Sequence, residues 1–171
     1  MTYSNTKKPK EHPQKNNKPK EETTFLLQNA YFFLRFRERS EQEMHAYLQK
    51  KAQKHNIDEW VVNIVLEDLK KNNYINDGRF IESFVSSRLR NKQKSPYVLK
   101  YELRKKGISE EDIESFFSSH TIHEGNLIKQ LLNKYSYSQR LGKKEQNKII
   151  NRLIRRGFRY ADIKKTIEEG L

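Results

Sequence analysis

The chain has 171 residues, 35 Lys and Arg against 22 Asp and Glu, and a formal net charge of +13. It has no Cys, which excludes disulfides, thiolate metal sites and Cys nucleophiles, and no apolar run approaches the roughly 18–20 residues of a membrane span. With 34% hydrophobic residues it is poor in material for one large core, so a thin architecture and a polyanionic partner are the expectations.

Residues 1–22 hold three of the four prolines (Pro9, Pro13, Pro19), six Lys and three Glu, and read as a disordered basic tail without the apolar stretch of a signal peptide. From Phe25 onward apolar residues recur at helical spacing, as in Val61/Val62/Val65/Leu66/Leu69 and Leu127/Ile128/Leu131/Leu132. The pattern predicts helices near 25–37, 40–54, 58–71, 77–93, 95–106, 109–119, 123–137, 143–156 and 159–169. Start signals agree. Ser40 with Glu43 and Ser109 with Asp112 read as capping boxes, and Ser95-Pro96 puts a cap before a first-turn proline. Stop signals agree too, with Lys105-Lys106-Gly107 and Arg155-Arg156-Gly157 placing cations and then Gly at helix ends. The Phe32/Phe33/Phe36 cluster and Trp60 are expected in the core. No convincing strand is present.

The helices group in threes. Tyr101 to Ile113 and Asn151 to Ile163 align with Leu103 on Leu153, Gly107 on Gly157 and Asp112-Ile113 on Asp162-Ile163. The period is about 50 residues, in the range of repeat arrays. The expected fold is therefore all-α: an elongated tandem array of three three-helix, helix-turn-helix-like repeats over 23–74, 75–120 and 121–171, sharing a continuous core. The first repeat is expected to have a longer turn, between Lys51 and Ile57.

Charge follows the repeat. Residues 88–106 carry eight cations and Glu102 alone as acid, and residues 143–159 carry seven cations and Glu145 alone. The expected basic stripe, the candidate site for a partner or for DNA, comprises Arg35, Arg37, Arg39, Lys50, Lys51, Lys54, Arg88, Arg90, Lys92, Lys94, Arg104, Lys105, Lys106, Arg152, Arg155, Arg156 and Arg159. The third helix of the middle repeat starts with Glu110-Glu111-Asp112, which phosphates would repel, so sequence-specific reading of a duplex groove is disfavoured. Tyr97 and Tyr101 lie on the basic segment, where they could stack on bases. His120-x-x-His123 lacks a third ligand nearby and reads as a solvated linker pair. No phosphate-binding glycine loop, nucleophile–base pair or paired catalytic carboxylates occur, so the chain reads as a non-enzyme with no cofactor, no metal and no small-molecule substrate.

The landmark residues resemble the RecX family of bacterial RecA regulators. They are Arg37-Glu-Arg-Ser-Glu-Gln-Glu43 with Leu48, Tyr74-Ile-Asn-Asp-Gly-Arg-Phe80, Pro96-x-x-Leu99-x-x-x-Leu103-Arg-Lys-Lys-Gly-Ile108, and Arg155-Arg-Gly-Phe158. They span about 35–165. Ile81 and Gly78 depart from the family's usual Ala and acidic residue. The resemblance implies a cytoplasmic three-helix repeat protein that binds along the groove of the RecA–single-stranded-DNA filament, with weak affinity for single- and double-stranded DNA. It implies inhibition of RecA ATPase, strand exchange and filament growth, without catalytic residues or cofactors. A monomer is expected. The residues alone leave two alternatives open, a general nucleic-acid-binding helical module and a helical scaffold for an acidic protein.

Overall fold

Local capping decides where each helix begins. In the computed structural model, which describes residues 18–170, the chain forms α1 (Lys18–Leu34), α2 (Glu41–Lys54), α3 (Glu59–Lys71), α4 (Asp77–Lys92), α5 (Pro96–Arg104), α6 (Glu110–Ser119), α7 (Glu124–Lys134), α8 (Lys143–Ile154) and α9 (Tyr160–Glu168). Among the described residues there is no strand, and no helix is long and apolar enough to cross a membrane. Ser40, Ser95 and Ser109 each accept, through the side-chain oxygen, the backbone N–H three residues on, at Glu43, Val98 and Asp112. The return bond of a capping box is not made at Ser40, because the Glu43 carboxylate is taken by Arg37 and Lys106.

The first helix starts earlier than expected. Residues 18–22, assigned above to a disordered tail, are helical. Pro19 is tolerated there because its missing N–H falls in the first turn, where that donor has no partner within the helix. Thr23 and Thr24 donate to the Pro19 and Lys20 carbonyls at 2.8 Å, and Phe25 packs 4.6 Å from the His55 ring. Residues 1–17 of the expected tail lie outside the described residues.

Packing falls into three units, α1–α3, α4–α6 and α7–α9, each helix touching mainly the other two of its own unit. Three separate apolar clusters result. The first includes Leu26, Met44, Leu48, Val62 and Leu69, the second Phe80, Ile81, Leu99, Leu103 and Ile113, and the third Ile128, Leu132, Leu153, Phe158 and Ile163. This corrects the expectation of one continuous core. The units meet through polar backbone and capping groups, which need hydrogen-bond partners and cannot be covered by apolar side chains.

The two junctions share one geometry. At the first, the Ser40 hydroxyl donates to the Lys106 carbonyl at 2.7 Å. At the second, the Ser95 N–H donates to the Arg156 carbonyl at 3.0 Å. In both, the start of one unit's second helix receives the end of the next unit's second helix, and both serines are fully buried. The residue after each carbonyl is Gly107 or Gly157, with φ of +78° and +94°. That left-handed backbone turns the chain, and the missing Cβ leaves room for Gln42 at the first junction and for Ser95 and Val98 at the second.

The first unit follows the same plan. The Ile57 N–H donates to the Ala52 carbonyl as Ile108 does to Leu103 and Phe158 to Leu153. Asn56, at φ +53°, takes the glycine's place, as Asn can in left-handed backbone. The expected longer turn is therefore absent: α2 runs further and its cap has the same spacing.

Candidate functional site

These caps put the repeat in register. Counting back from Asn56, Gly107 and Gly157, the residues two positions earlier are Lys54, Lys105 and Arg155. All three are exposed, and no carboxylate lies within ion-pair distance of them among the described residues. Their position at the end of α2, α5 and α8 favours a cation, because the last carbonyls of a helix carry partial negative charge. The Lys105 ammonium also sits 4.7 Å from the Tyr101 ring centroid, and side-chain hydrogen bonding with Tyr101 holds its pKa above the ordinary value.

The other members of the expected stripe divide by their partners. Arg37 pairs bidentately with Glu43 at 2.8 and 2.9 Å, and Lys106 reaches the same carboxylate at 2.6 Å. Glu102 gathers Arg88 at 2.9 Å and also Lys94. Arg104 forms a two-bond pair with Glu110 across the turn. Each of these five cations is ion-paired within the fold. Arg39 is held by the Phe33 carbonyl at 3.2 Å with its guanidinium 3.7 Å over the Phe33 ring, and Lys51 lies 5.4 Å from the Tyr47 ring. Arg35, Lys50, Arg90, Lys92 and Arg159 have no carboxylate partner among the described residues. The segment 88–106, with its eight cations, is thus the most neutralised of the stripe.

The third repeat is the opposite case. Where the middle unit has Glu102 beside Arg88, the third has Arg152 beside Tyr135. Arg152 and Arg156 both lie over the Tyr135 ring, at 5.2 and 5.8 Å from its centroid. Arg156 also donates to the Tyr135 hydroxyl at 2.7 Å and to the Lys92 carbonyl, so it is a junction residue. Lys144, Glu145, Asn147, Lys148, Asn151 and Arg155 line one side of α8, where Glu145 lies 3.8 Å from Lys148 and is the one acid beside three cations. Sequence reading missed Asn147 and Asn151, whose signal was their alignment on Tyr97 and Tyr101.

Several aromatics also fall outside expectation. Trp60, Phe32 and Phe36 are 49%, 60% and 68% exposed, not core. Helical spacing shows which residues share a face, not whether a neighbour covers it. Phe33 does pack, stacked 4.1 Å from Tyr47. Tyr97 and Tyr101 are exposed on α5, open to stacking. His120 stacks 4.3 Å from Phe116, and no group of three metal-ligating side chains occurs among the described residues.

Glu43 is the electrostatic centre of the first junction. Partial burial pushes its carboxyl up, but hydrogen bonds and charge from Arg37 and Lys106 outweigh this and hold its pKa at about 2, below the usual 4.5. A depressed carboxyl contributes stability above its unfolded pKa and loses it as pH falls through its folded value. Glu43→Gln should therefore cost about 1–3 kcal/mol at neutral pH. In urea titrations, the gap between wild type and variant should close between pH 4.5 and about 2. A gap independent of pH would show that Glu43 acts by packing alone.

Residues 76–115, covering α4, α5 and most of α6, match the family described as RecX, second three-helix domain. The chain is 34% identical over 142 residues to the regulatory protein RecX of Streptococcus pneumoniae strain Hungary19A-6, covering 82% of this chain and 53% of that protein. It is 36% identical over 138 residues to that of Streptococcus sanguinis strain SK36, covering 79% and 51%. The chain thus spans about half the length of the curated relatives it matches. The crystal structure of RecX from Lactobacillus salivarius superposes with a TM-score of 0.65 at 27% identity, covering 88% of this chain and 97% of that one. With three three-helix units, the RecX second three-helix domain matched at the middle unit and relatives that align over about four fifths of this chain, the chain is similar in sequence and in fold to the RecX regulatory proteins.

Proposed function

We propose that this chain is a non-enzymatic regulator of RecA recombinase, acting in the cytoplasm in homologous recombination and DNA repair. It binds along the groove of the RecA–single-stranded-DNA filament and lowers ATPase activity, strand exchange and filament growth. The observation that supports this best is the register of Lys54, Lys105 and Arg155: one carboxylate-free cation per unit, at the same place in three units of a RecX-like array. Weak contacts repeated along an array sum through effective concentration when the partner is itself regular. With α1 beginning at Lys18, we place the unit boundaries at 18–74, 75–120 and 121–171 and take the chain to act as a monomer.

The deciding measurement is the single-stranded-DNA-dependent ATPase of purified RecA with added protein. The expected result is a dose-dependent fall in rate. An unchanged rate at several-fold molar excess over filament binding sites would overturn the proposal.

The exposed Tyr97 and Tyr101, with Lys105 beside them, favour one second reading, a general module for single-stranded nucleic acid. It predicts that bare DNA binds as tightly as the RecA filament at physiological salt, with affinity falling steeply as salt rises.

A further inference from the structure

A cavity of about 170 Å³ lies where the first and second units meet, and it is lined by Arg37, Ser83, Phe84, Ser87, Arg88 and Lys106. Ser83 and Ser87 are one helical turn apart on α4, so their hydroxyls share a face. Ser83 makes no side-chain hydrogen bond among the described residues, and Ser87 only accepts one, a long 3.4 Å contact from Asn91. Both hydroxyl protons are available. The three cations are anchored and still have donors left. Arg37 gives both Nη groups to Glu43 and Nη1 also to the Glu38 carbonyl, leaving Nε and one N–H of Nη2. Arg88 gives only Nε, to Glu102, leaving both Nη groups. Lys106 uses one of its three N–H bonds on Glu43.

The charge balance favours an anion. Around the cavity Arg37, Arg79, Arg88, Lys94 and Lys106 face three carboxylates, Glu38, Glu43 and Glu102, which leaves two positive charges. Glu38 is itself a lining residue, and it is turned to Arg79 at 3.4 Å. Phe84 forms an apolar wall with the Arg88 guanidinium 4.6 Å from its centroid, and such a wall strengthens the field inside the cavity. The volume holds about five waters at roughly 30 Å³ each, room for one phosphoryl group with part of its hydration shell. Donors converge from two guanidiniums, an ammonium and two hydroxyls. That spread suits the tetrahedral oxygens of a phosphate better than the two coplanar oxygens of a carboxylate.

We propose that this notch is a phosphate-binding site and that its ligand is the backbone phosphodiester of a nucleic acid strand. It anchors the strand at the seam between units 1 and 2 and does not read sequence. The site stands independently of RecA, so absence of ATPase inhibition would leave it intact.

The test uses the full chain and two probes, a fluorescein-labelled oligothymidylate followed by anisotropy and inorganic pyrophosphate followed by ³¹P NMR broadening. Ser87→Asp places a carboxylate in the notch without touching an ion pair. It should weaken oligothymidylate binding about tenfold at low salt, a 1.4 kcal/mol effect, and Ser83→Asp should act likewise. Ser86→Asp adds the same charge at an exposed position outside the lining and should change affinity less than about twofold. Ser87→Ala, which keeps the helix, should weaken binding two- to threefold and serves if the aspartate variant fails to fold. Equal weakening by the Ser86 and Ser87 aspartates, or no effect of either, overturns the proposal. Pyrophosphate binding that depends on Ser87 while oligothymidylate binding does not overturns the strand as ligand and assigns the notch to a free phosphate.

Discussion

Gly107→Ala is expected to destabilise the chain by about 2–5 kcal/mol, the sum of two costs. The φ of +78° is unfavourable for any residue with a Cβ, about 1–2 kcal/mol. The added carbon would also lie 2.5 Å from the Gln42 Cβ. That atom is fixed to the α2 backbone and cannot rotate away, so the units must separate, a packing strain of typically 1–3 kcal/mol. Asn56→Ala isolates the first cost, since Asn56 has the same left-handed backbone but an exposed side chain; it should cost about 1 kcal/mol. Urea unfolding of the two variants checks this. Equal losses would show that the first junction tolerates a Cβ and that the glycine serves only the turn.

Reversing Lys54, Lys105 and Arg155 together to Glu is expected to raise the concentration needed for half-inhibition of RecA roughly 100-fold, taking about 1 kcal/mol for each of three surface contacts. The ATPase titration measures it. Helical content should persist, because none of the three is buried or ion-paired within the fold. Each reversal does oppose a helix C-terminus, at about 0.3–1 kcal/mol, and the triple Gln variant avoids that penalty while still removing the contacts. Inhibition unchanged in both variants would move the contact face away from the second-helix ends. Arg104 and Arg156 are unsuitable for this test. Arg104 is tied to Glu110, and Arg156 holds the second junction through the Lys92 carbonyl and the Tyr135 hydroxyl. Losses from either would mix folding with recognition.

The helices were largely legible because their causes are local. Ser40, Ser95 and Ser109 cap within three residues of themselves, and Gly107 and Gly157 end helices with a backbone angle that the residue type announces. The errors came where locality fails. Pro19 looked like part of a loose leader, yet a first-turn proline is a helix former. Trp60 and Phe36 had core-like spacing, but whether a third element covers that face is a tertiary matter. Asn56 went unnoticed because Asn announces a left-handed turn more weakly than Gly does.

The candidate site divides the same way. The sequence by itself determined the three-unit repeat, the family landmarks and the net +13, since these depend on composition and on spacing along one chain. Only the tertiary structure decided which charges remain available. Glu43 pairs with Lys106 from 63 residues away, and Glu102 with Arg88 from 14. The same contacts brought Arg37, Ser87, Arg88 and Lys106 around one cavity at the seam. The energy of an ion pair depends on distance through space and on the solvent between the charges. A count along the sequence fixes how many charges exist, and the fold fixes which of them a partner meets.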